Sequence, residues 1–146
     1  MDSVDIQIIS ELQKDSRLSI RELSKRVHLS APSLAERIRK LENKGIIESY
    51  TITLNKKRMG FPIDCFVMVT MRNGEYERFR SFIKNHPRSD FCYRITGDAC
   101  FLVKFSIASL EEIEGFITEV TPFANTKTFF SLSEVDIDRD IRKSIS

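Results

Sequence analysis

The chain has 146 residues and a formal net charge of +2, which fits one or two small domains and points to no particular partner. The sequence shows no signal-peptide core and no apolar run long enough to cross a bilayer, so we expect no membrane association. Its three cysteines have neither CxxC nor His/Cys metal-ligand spacing, which indicates reduced thiols in the cytoplasm, with no metal and no cofactor.

The first predicted element is an amphipathic helix. Val4, Ile8, Ile9 and Leu12 recur on one helical face, and the pattern ends at the polar loop 14–17.

Two short helices follow, over residues 19–45. Ser19 and Glu22 form a predicted capping box, because the hydroxyl and the carboxylate can each bind a backbone N–H group at the helix start. Ser30 is predicted to cap the second helix. His28 stands at a turn position that is often Gly, so it must adopt a positive φ.

The second helix of this pair has an apolar face and a polar face. Leu34, Ile38 and Leu41 lie at i, i+4 and i+7 and share the buried face, and Gly45 ends the helix where a left-handed residue is needed. The outward side chains are small, polar or cationic: Pro32, Ser33, Glu36, Arg39 and Lys40. This pattern favours a helix-turn-helix whose second helix enters the DNA major groove. The alternative is an ordinary helical hairpin with solvated charges.

The helix defines the residues that we predict to contact DNA. Side chains on its outer face would lie near bases or phosphates, and its first residues would face a backbone phosphate. Arg37 lies at the flank of the buried face, where it either contacts phosphate or pairs with a carboxylate of helix 1. The predicted DNA-binding residues are Ser30, Pro32, Ser33, Glu36, Arg37, Arg39 and Lys40.

A β-branched stretch over residues 46–54 comes next. Tyr50, Ile52 and Leu54 alternate with polar residues, which predicts a strand or small hairpin, the wing of a winged helix. The basic residues 55–58 suit a linker.

The rest of the chain predicts the order β-α-β-β-α-β, the ferredoxin-like split βαβ of an α+β protein. A Gly-X hairpin turn at Gly97-Asp98 joins the two middle strands, and Ser109 with Glu112 forms a second predicted capping box. The predicted strands cover residues 63–72, 91–95, 101–107 and 126–135, and the predicted helices cover residues 76–83 and 110–120.

The first of these strands has two apolar faces. Cys65, Val67 and Val69 lie on one face, and Phe66 and Met68 lie on the other. A half-exposed antiparallel strand would alternate apolar with polar residues, and helices can cover only one face of such a sheet. We therefore expect the second face to pack on another subunit.

The charge is unevenly distributed along the chain. Residues 1–60 carry 12 Lys+Arg against 8 Asp+Glu, a net of +4, and the remainder carries 11 against 13, a net of −2. This asymmetry suits nucleic-acid contact through the N-terminal part only.

The segments LSKRVHLSAPSLAERIRKLENKGII and YRITGDACFLVKF, in this order of parts, resemble the Lrp/AsnC family of bacterial and archaeal transcription regulators, especially its LrpC-type subgroup. Asp5, Asp15 and Arg17 also fit the first helix and loop of the family. The resemblance covers essentially the whole chain and implies a cytoplasmic, nucleoid-associated regulator. The implied parts are a winged helix-turn-helix (residues 1–55), a linker (56–61), an oligomerisation and effector domain called RAM (62–138) and a charged tail (139–146).

The resemblance further implies homodimers formed through the RAM domain, which often assemble into tetramers or octamers. Many members bind a free amino acid near the loop that holds Thr96, Gly97, Asp98 and Cys100 here. Many ligand-responsive relatives have an acidic residue in place of Cys100, and a thiol cannot supply the charge that pairs with an α-amino group. Two interpretations stay open: an amino-acid-responsive regulator and a ligand-insensitive protein that bends or wraps DNA.

The sequence gives less support to two other classes of protein. An enzyme would need one of the three cysteines as nucleophile with His28 or His86 as base, together with an oxyanion hole and a pocket, for which the sequence gives no signal. A pure small-molecule-binding module would leave the first 60 residues without a role. We therefore predict that the chain is not an enzyme.

Overall fold

The computed structural model describes residues 1–145. Its elements, in chain order, are α1 (Ser3–Lys14), α2 (Ile20–Val27), α3 (Ala31–Asn43), β1 (Ile63–Met71), α4 (Tyr76–Lys84), β2 (Ser89–Arg94), β3 (Phe101–Ile107), α5 (Leu110–Val120), β4 (Ala124–Phe130) and α6 (Ile141–Ser144). They form two units. The helical unit consists of residues 1–53 and 136–145, and the sheet unit consists of residues 54–135.

The first three helices each begin at a side chain that binds backbone N–H groups. Asp2 caps α1 and forms a capping box with Asp5, which the sequence did not suggest. The predicted box of α2 is confirmed, since the Glu22 N–H donates to Ser19 Oγ at 3.1 Å and the Ser19 N–H donates to Glu22 Oε2 at 2.9 Å. The Ser30 hydroxyl caps α3, also as predicted.

Left-handed residues end α2 and α3. His28 has φ 55°, as predicted from its place in the turn, and Gly45 has φ 67°. Beyond α3, the Gly45 N–H donates to the Glu42 carbonyl and the Ile46 N–H to the Leu41 carbonyl, both at 2.9 Å. These two bonds form a Schellman motif, which satisfies carbonyls that a helix end leaves unpaired.

The helices α1, α2 and α3 meet in a small apolar core. Leu34 and Leu41 are buried and Ile38 packs beside them, which confirms the predicted apolar face of α3. The buried members of this core are Ile8, Leu23, Val27, Leu34 and Leu41.

Residues 46–54 form no strand in the described chain, so the predicted strand or hairpin is wrong. A strand needs a neighbour that pairs its backbone groups, and the described helical unit contains only helices and irregular segments. Ile52 is 78% exposed. The Tyr50 hydroxyl donates to Glu42 at 2.9 Å and so holds this segment beside α3.

The sheet unit has the predicted βαββαβ order. Its four strands lie in the order β2-β3-β1-β4, and each neighbouring pair is antiparallel. The last strand ends at Phe130, earlier than predicted, because β1 begins at Ile63 and the register that pairs Phe130 with Cys65 leaves residues 133–135 with no residue of β1 opposite them.

The helix-covered face of the sheet forms the larger core. Cys65, Val67 and Val69 of β1 are fully buried there, as predicted for one face of this strand. Their buried neighbours include Phe79 and Ile83 of α4, Phe101, Val103 and Phe105 of β3, and Ile113, Phe116 and Val120 of α5.

The opposite face of the sheet, called the open face, is also largely apolar. Cross-strand pairing aligns Phe66 with Phe129 and Met68 with Leu102. Phe66, Met68 and Leu102 are half-buried, whereas Tyr93 is 61% exposed and Phe129 is 45% exposed. The second apolar face predicted for β1 is therefore present.

Two local predictions in the sheet unit are wrong. The strands β2 and β3 are joined by residues 95–100 rather than by a two-residue turn, because the Ile95 N–H donates to the Cys100 carbonyl and the Cys100 N–H donates to the Val69 carbonyl, both at 2.9 Å. The Ser109 side chain makes no capping bond at α5. The Glu112 carboxylate instead accepts the Ala108 N–H at 2.8 Å and an Arg88 N–H at 3.0 Å.

Candidate nucleic-acid interface

The outer face of α3 presents most of the predicted DNA-binding residues. Pro32, Ser33, Arg39 and Lys40 are exposed, and Glu36 is half-buried between them. These positions follow from the helix period, since Leu34 and Leu41 are drawn into the core on the opposite side. The result is a helix with a polar, partly cationic outer surface.

Glu36 lies at the centre of an ion-pair cluster on this surface. Arg39 binds it with two side-chain groups, Nε at 3.1 Å and Nη2 at 2.6 Å from Oε2, and Lys40 Nζ lies 3.7 Å from Oε1. The hydrogen bond from Arg39 is the main reason that the pKa of Glu36 lies below its usual value. Surface pairs of this kind are weak, so Arg39 and Lys40 can exchange their contact with Glu36 for a contact with a phosphate.

Of the two partners predicted for Arg37, phosphate or a carboxylate, the structure shows a carboxylate partner. Its Nη1 lies 2.7 Å from Asp2 Oδ2 and 2.9 Å from Asp5 Oδ1. The hydrogen bond from Arg37 is the largest cause of the low pKa of Asp2, about 2, and the same pairs raise the pKa of Arg37. Arg37 therefore joins α3 to the start of α1.

The start of α3 is ordered by Ser30. Its Oγ accepts the Ser33 N–H at 3.4 Å, with Pro32 in the first helical turn. Ser30 is exposed, so the positive end of the helix dipole is open to an anion.

Sequence reasoning missed two cations of α2. Arg21 and Lys25 are exposed and, within residues 1–145, neither makes a salt bridge, whereas Arg26 of the same helix lies 3.0 Å from Glu11. Their i, i+4 spacing places both on one side of α2. That spacing was readable from the sequence, but only the structure shows which cations of the helical unit are already paired.

The loop that contains the predicted effector residues borders a cavity of about 290 Å³. Thr70 Oγ1 donates to the Asp98 carbonyl at 3.3 Å, which fixes the loop beside β1. Thr96 and Gly97 are exposed in the same loop, where Gly97 has φ 101°. The residues that line the cavity are Met68, Thr70, Asp98, Ala99, Asn125, Thr126 and Lys127.

Cys100 is not among the residues that line this cavity. Its Sγ lies 3.6 Å from the Tyr76 hydroxyl, and the Arg94 guanidinium lies 4.1 Å from the centre of the Tyr76 ring. Of the four predicted effector residues, the structure brings Asp98 to the cavity and directs Cys100 toward α4.

His86 has a structural environment rather than that of a catalytic base. Its ring makes edge contacts with Phe105 and Phe116, and its Nδ1 accepts the Arg88 N–H at 3.3 Å. Burial lowers its pKa.

In the described part of the chain, no helix is long and apolar enough to span a membrane.

Both parts of the chain match known families. Residues 1–48 match the family described as winged helix-turn-helix DNA-binding, and residues 64–141 match the family described as Lrp/AsnC ligand binding domain.

Individual relatives extend the similarity to nearly the whole chain. HTH-type transcriptional regulator LrpC of Bacillus subtilis is 48% identical over 136 residues, which cover 93% of this chain and 94% of the relative. The leucine-responsive regulatory protein of Escherichia coli is 33% identical over 142 residues, covering 92% and 87% of the two chains. Both relatives are named as regulators and not as enzymes.

Solved structures show the same fold. The structure of B. subtilis LrpC superposes with a TM-score of 0.91 at 47% identity, covering 94% of this chain and 99% of that one. A Neisseria meningitidis transcriptional regulator in complex with L-Met has a TM-score of 0.88 at 25% identity, covering 96% and 95%.

Proposed function

The chain belongs to the Lrp/AsnC family of helix-turn-helix transcriptional regulators, and we propose that it is a sequence-specific DNA-binding regulator that acts as a homodimer in the cytoplasm, on the nucleoid. The observation that carries the proposal is the outer face of α3, where Arg39 and Lys40 form salt bridges, within residues 1–145, only with the partly exposed Glu36.

Phosphate and base contacts divide between two helices in this proposal. Arg39 and Lys40 of α3, with Arg21 and Lys25 of α2, bind backbone phosphates, since in a helix-turn-helix the first helix crosses the DNA backbone. Ser33 and Glu36 reach base edges in the major groove, where a carboxylate can accept a hydrogen bond from cytosine. Contacts to phosphate position the protein, and contacts to bases give it sequence preference.

The open face of the sheet is the proposed dimer interface. It combines aromatic and aliphatic side chains, including Phe66, Met68, Leu102 and Phe129, on a surface that no helix of the sheet unit covers. At one end, Lys104 Nζ lies 3.4 Å from Asp90 Oδ2 and 3.8 Å from Asp64 Oδ1. An apolar centre with a charged rim is the usual anatomy of a protein interface. Dimers of this kind assemble further into tetramers or octamers.

The cavity beside Asp98 is the proposed site of effector control. A small amino acid would bind at the cavity beside Asp98 and Lys127, which offer an acidic and a basic residue for the two charges of a zwitterion. The N. meningitidis relative bound to L-Met supports this class of ligand. The thiol of Cys100 and its contact with Tyr76 favour the alternative, a ligand-insensitive architectural protein that bends or wraps DNA.

A binding-site selection separates a sequence-specific regulator from an architectural protein that binds DNA without sequence preference. Full-length protein is incubated with a pool of random duplexes, and the bound DNA is sequenced. We expect a motif of two half-sites about one helical turn apart, and we expect Ser33→Ala and Glu36→Ala to alter the selected bases.

The result that contradicts sequence-specific regulation is binding without any enriched motif. Tight binding of that kind, with DNA shortened or bent, supports the architectural alternative instead. Absence of binding to any duplex refutes both.

A further inference from the structure

The outer face of α1 binds the C-terminal segment, residues 136–145, through a side chain that recognises backbone. Gln13 Nε2 donates to the Arg139 carbonyl at 2.9 Å, and Gln13 Oε1 accepts the Ile141 N–H at 2.9 Å. One amide thus pairs with both polar backbone groups that flank Asp140, as a neighbouring strand would.

A second contact lies one helical turn earlier on the same face of α1. Ser10 is only 2% exposed, and its hydroxyl donates to Asp140 Oδ2 at 3.3 Å. A buried hydroxyl needs a hydrogen-bond partner, and the C-terminal segment provides one. Ile141 is half-buried, which adds an apolar contribution to the docked state.

The C-terminal segment is also ordered by its own charges. Asp140 caps α6, since its Oδ1 accepts the Arg142 N–H at 3.0 Å, and its carboxylate pairs with the Arg142 guanidinium. Asp138 Oδ2 lies 2.5 Å from Lys143 Nζ. The Asp140 carboxylate therefore both starts the short helix and binds Ser10.

The docked segment changes how the helical unit is connected to the rest of the protein. The chain leaves this unit after Thr53, forms the sheet unit, and returns to the helical unit at Asp136. With the segment docked, the helical unit has two connections to the sheet unit, whereas a released segment leaves it with one.

We propose that the C-terminal segment is a strap that, by docking on α1 through Gln13 and Ser10, restricts the movement of the helical unit and thereby sets the spacing of half-sites that a dimer accepts. This rests on the proposed function, because spacing has meaning only for a dimer bound to two half-sites. Restricting a binding module before it binds raises affinity for the matching geometry and lowers it for others.

The experiment compares two full-length variants that change no charge. Gln13→Ala removes the two hydrogen bonds that the Gln13 amide makes to the strap. Gln7→Ala, on the same helix, removes a side-chain bond to the Arg26 carbonyl and leaves the strap contacts intact. Hydrogen exchange followed by mass spectrometry reports docking through peptides that contain the Ile141 N–H.

The same proteins are then titrated with duplexes whose two half-sites are separated by a series of spacings. We expect the strap of the wild type and of Gln7→Ala to be protected from hydrogen exchange, and we expect both proteins to prefer one half-site spacing. In Gln13→Ala we expect the strap amides to exchange at least about tenfold faster, since the variant removes two hydrogen bonds. We also expect its discrimination between half-site spacings to fall by about three- to tenfold.

Two outcomes would contradict the proposed role of the strap. One is a strap that exchanges at the rate of an unstructured peptide in the wild type. The other is a Gln13→Ala protein with a released strap and an unchanged spacing profile. The exchange measurement needs no DNA, so absence of DNA binding would refute the proposed function separately.

Discussion

Single residues of the helical unit differ in how firmly their charges are already held. Arg37 is bound by Asp2 and Asp5, so it serves the joint between α1 and α3. Arg39 and Lys40 share the partly exposed Glu36. The type of residue is the same at positions 37 and 39, and only the three-dimensional neighbours assign one to structure and the other to the outer surface.

The first residue-scale prediction concerns Cys100 and the effector. Calorimetric titration of the wild type with the twenty amino acids should give no Kd below roughly 1 mM, a binding free energy near −4 kcal/mol, because the thiol supplies no charge for an α-amino group. A micromolar ligand for the wild type would refute this prediction and favour recognition through Asp98.

His86 gives a prediction about pH. Burial is the main cause that lowers its pKa; Arg88 lowers it further, and Glu119 and Glu112 raise it. Since the folded-state pKa lies below the ordinary value of 6.5, the unfolded chain takes up a proton more readily, and the free energy of unfolding falls as the pH drops below about 6.5.

Urea unfolding at pH 7.5 and 5.5 measures this effect. His86→Gln should lose part of the pH dependence, whereas His28→Asn, which suits the left-handed turn, should keep it. An equal pH dependence in wild type and His86→Gln would contradict the assignment.

At the scale of elements, local chemistry predicted the helices well and the loops poorly. Ser19 with Glu22, and Ser30, fixed the starts of α2 and α3, because capping depends on residues within one turn. Ser109 and Glu112 matched the same pattern, but Arg88 and the Ala108 N–H bind the Glu112 carboxylate instead. Partners distant in sequence decided the outcome there.

The sheet was predictable from hydrophobic pattern, and its irregular parts were not. The apolar run of β1 predicted a strand with two apolar faces, and both faces are present. Residues 46–54 have equally good strand composition, yet strand formation needs a pairing partner that composition does not reveal. In the candidate site, helical period predicted the outer face of α3, but the ion pairs of Arg37 and the docking of residues 136–145 on α1 depend on contacts far apart in sequence.

The open face supplies a prediction about assembly. Met68→Lys places an ammonium group in the middle of this face, and we expect the dimer to weaken by at least about a hundredfold, since burying an unpaired charge costs more than about 3 kcal/mol. Light scattering coupled to size-exclusion chromatography measures the mass. Leu110→Lys, at a residue of α5 that is 57% exposed, is the control and should stay dimeric. A folded Met68→Lys protein with the mass of the wild type would place the interface elsewhere.

At the scale of the whole molecule, the two units present different surfaces. Residues 1–60 carry a net charge of +4, but Lys56, Lys57 and Arg58 of this stretch belong to the sheet unit. The attraction to DNA therefore rests on the exposed cations of α2 and α3 rather than on the net charge of the helical unit. The sheet unit carries the apolar open face and the cavity beside Asp98. The strap formed by residues 136–145 belongs to the helical unit, although it follows the sheet unit in sequence.

The salt dependence of binding tests most directly whether α3 contacts DNA. Arg39→Ala/Lys40→Ala should weaken binding to all duplexes and flatten the slope of log K against log salt by about 0.9 for each phosphate that the variant no longer neutralises. The control is Arg80→Ala/Lys84→Ala on α4, which removes the same charge and, like the first pair, an arginine bound to a glutamate three residues earlier. We expect a lower affinity and a shallower slope for the α3 variant, with little change for the α4 variant. Equal effects of the two variants, or no effect of the α3 variant, would contradict DNA binding through α3.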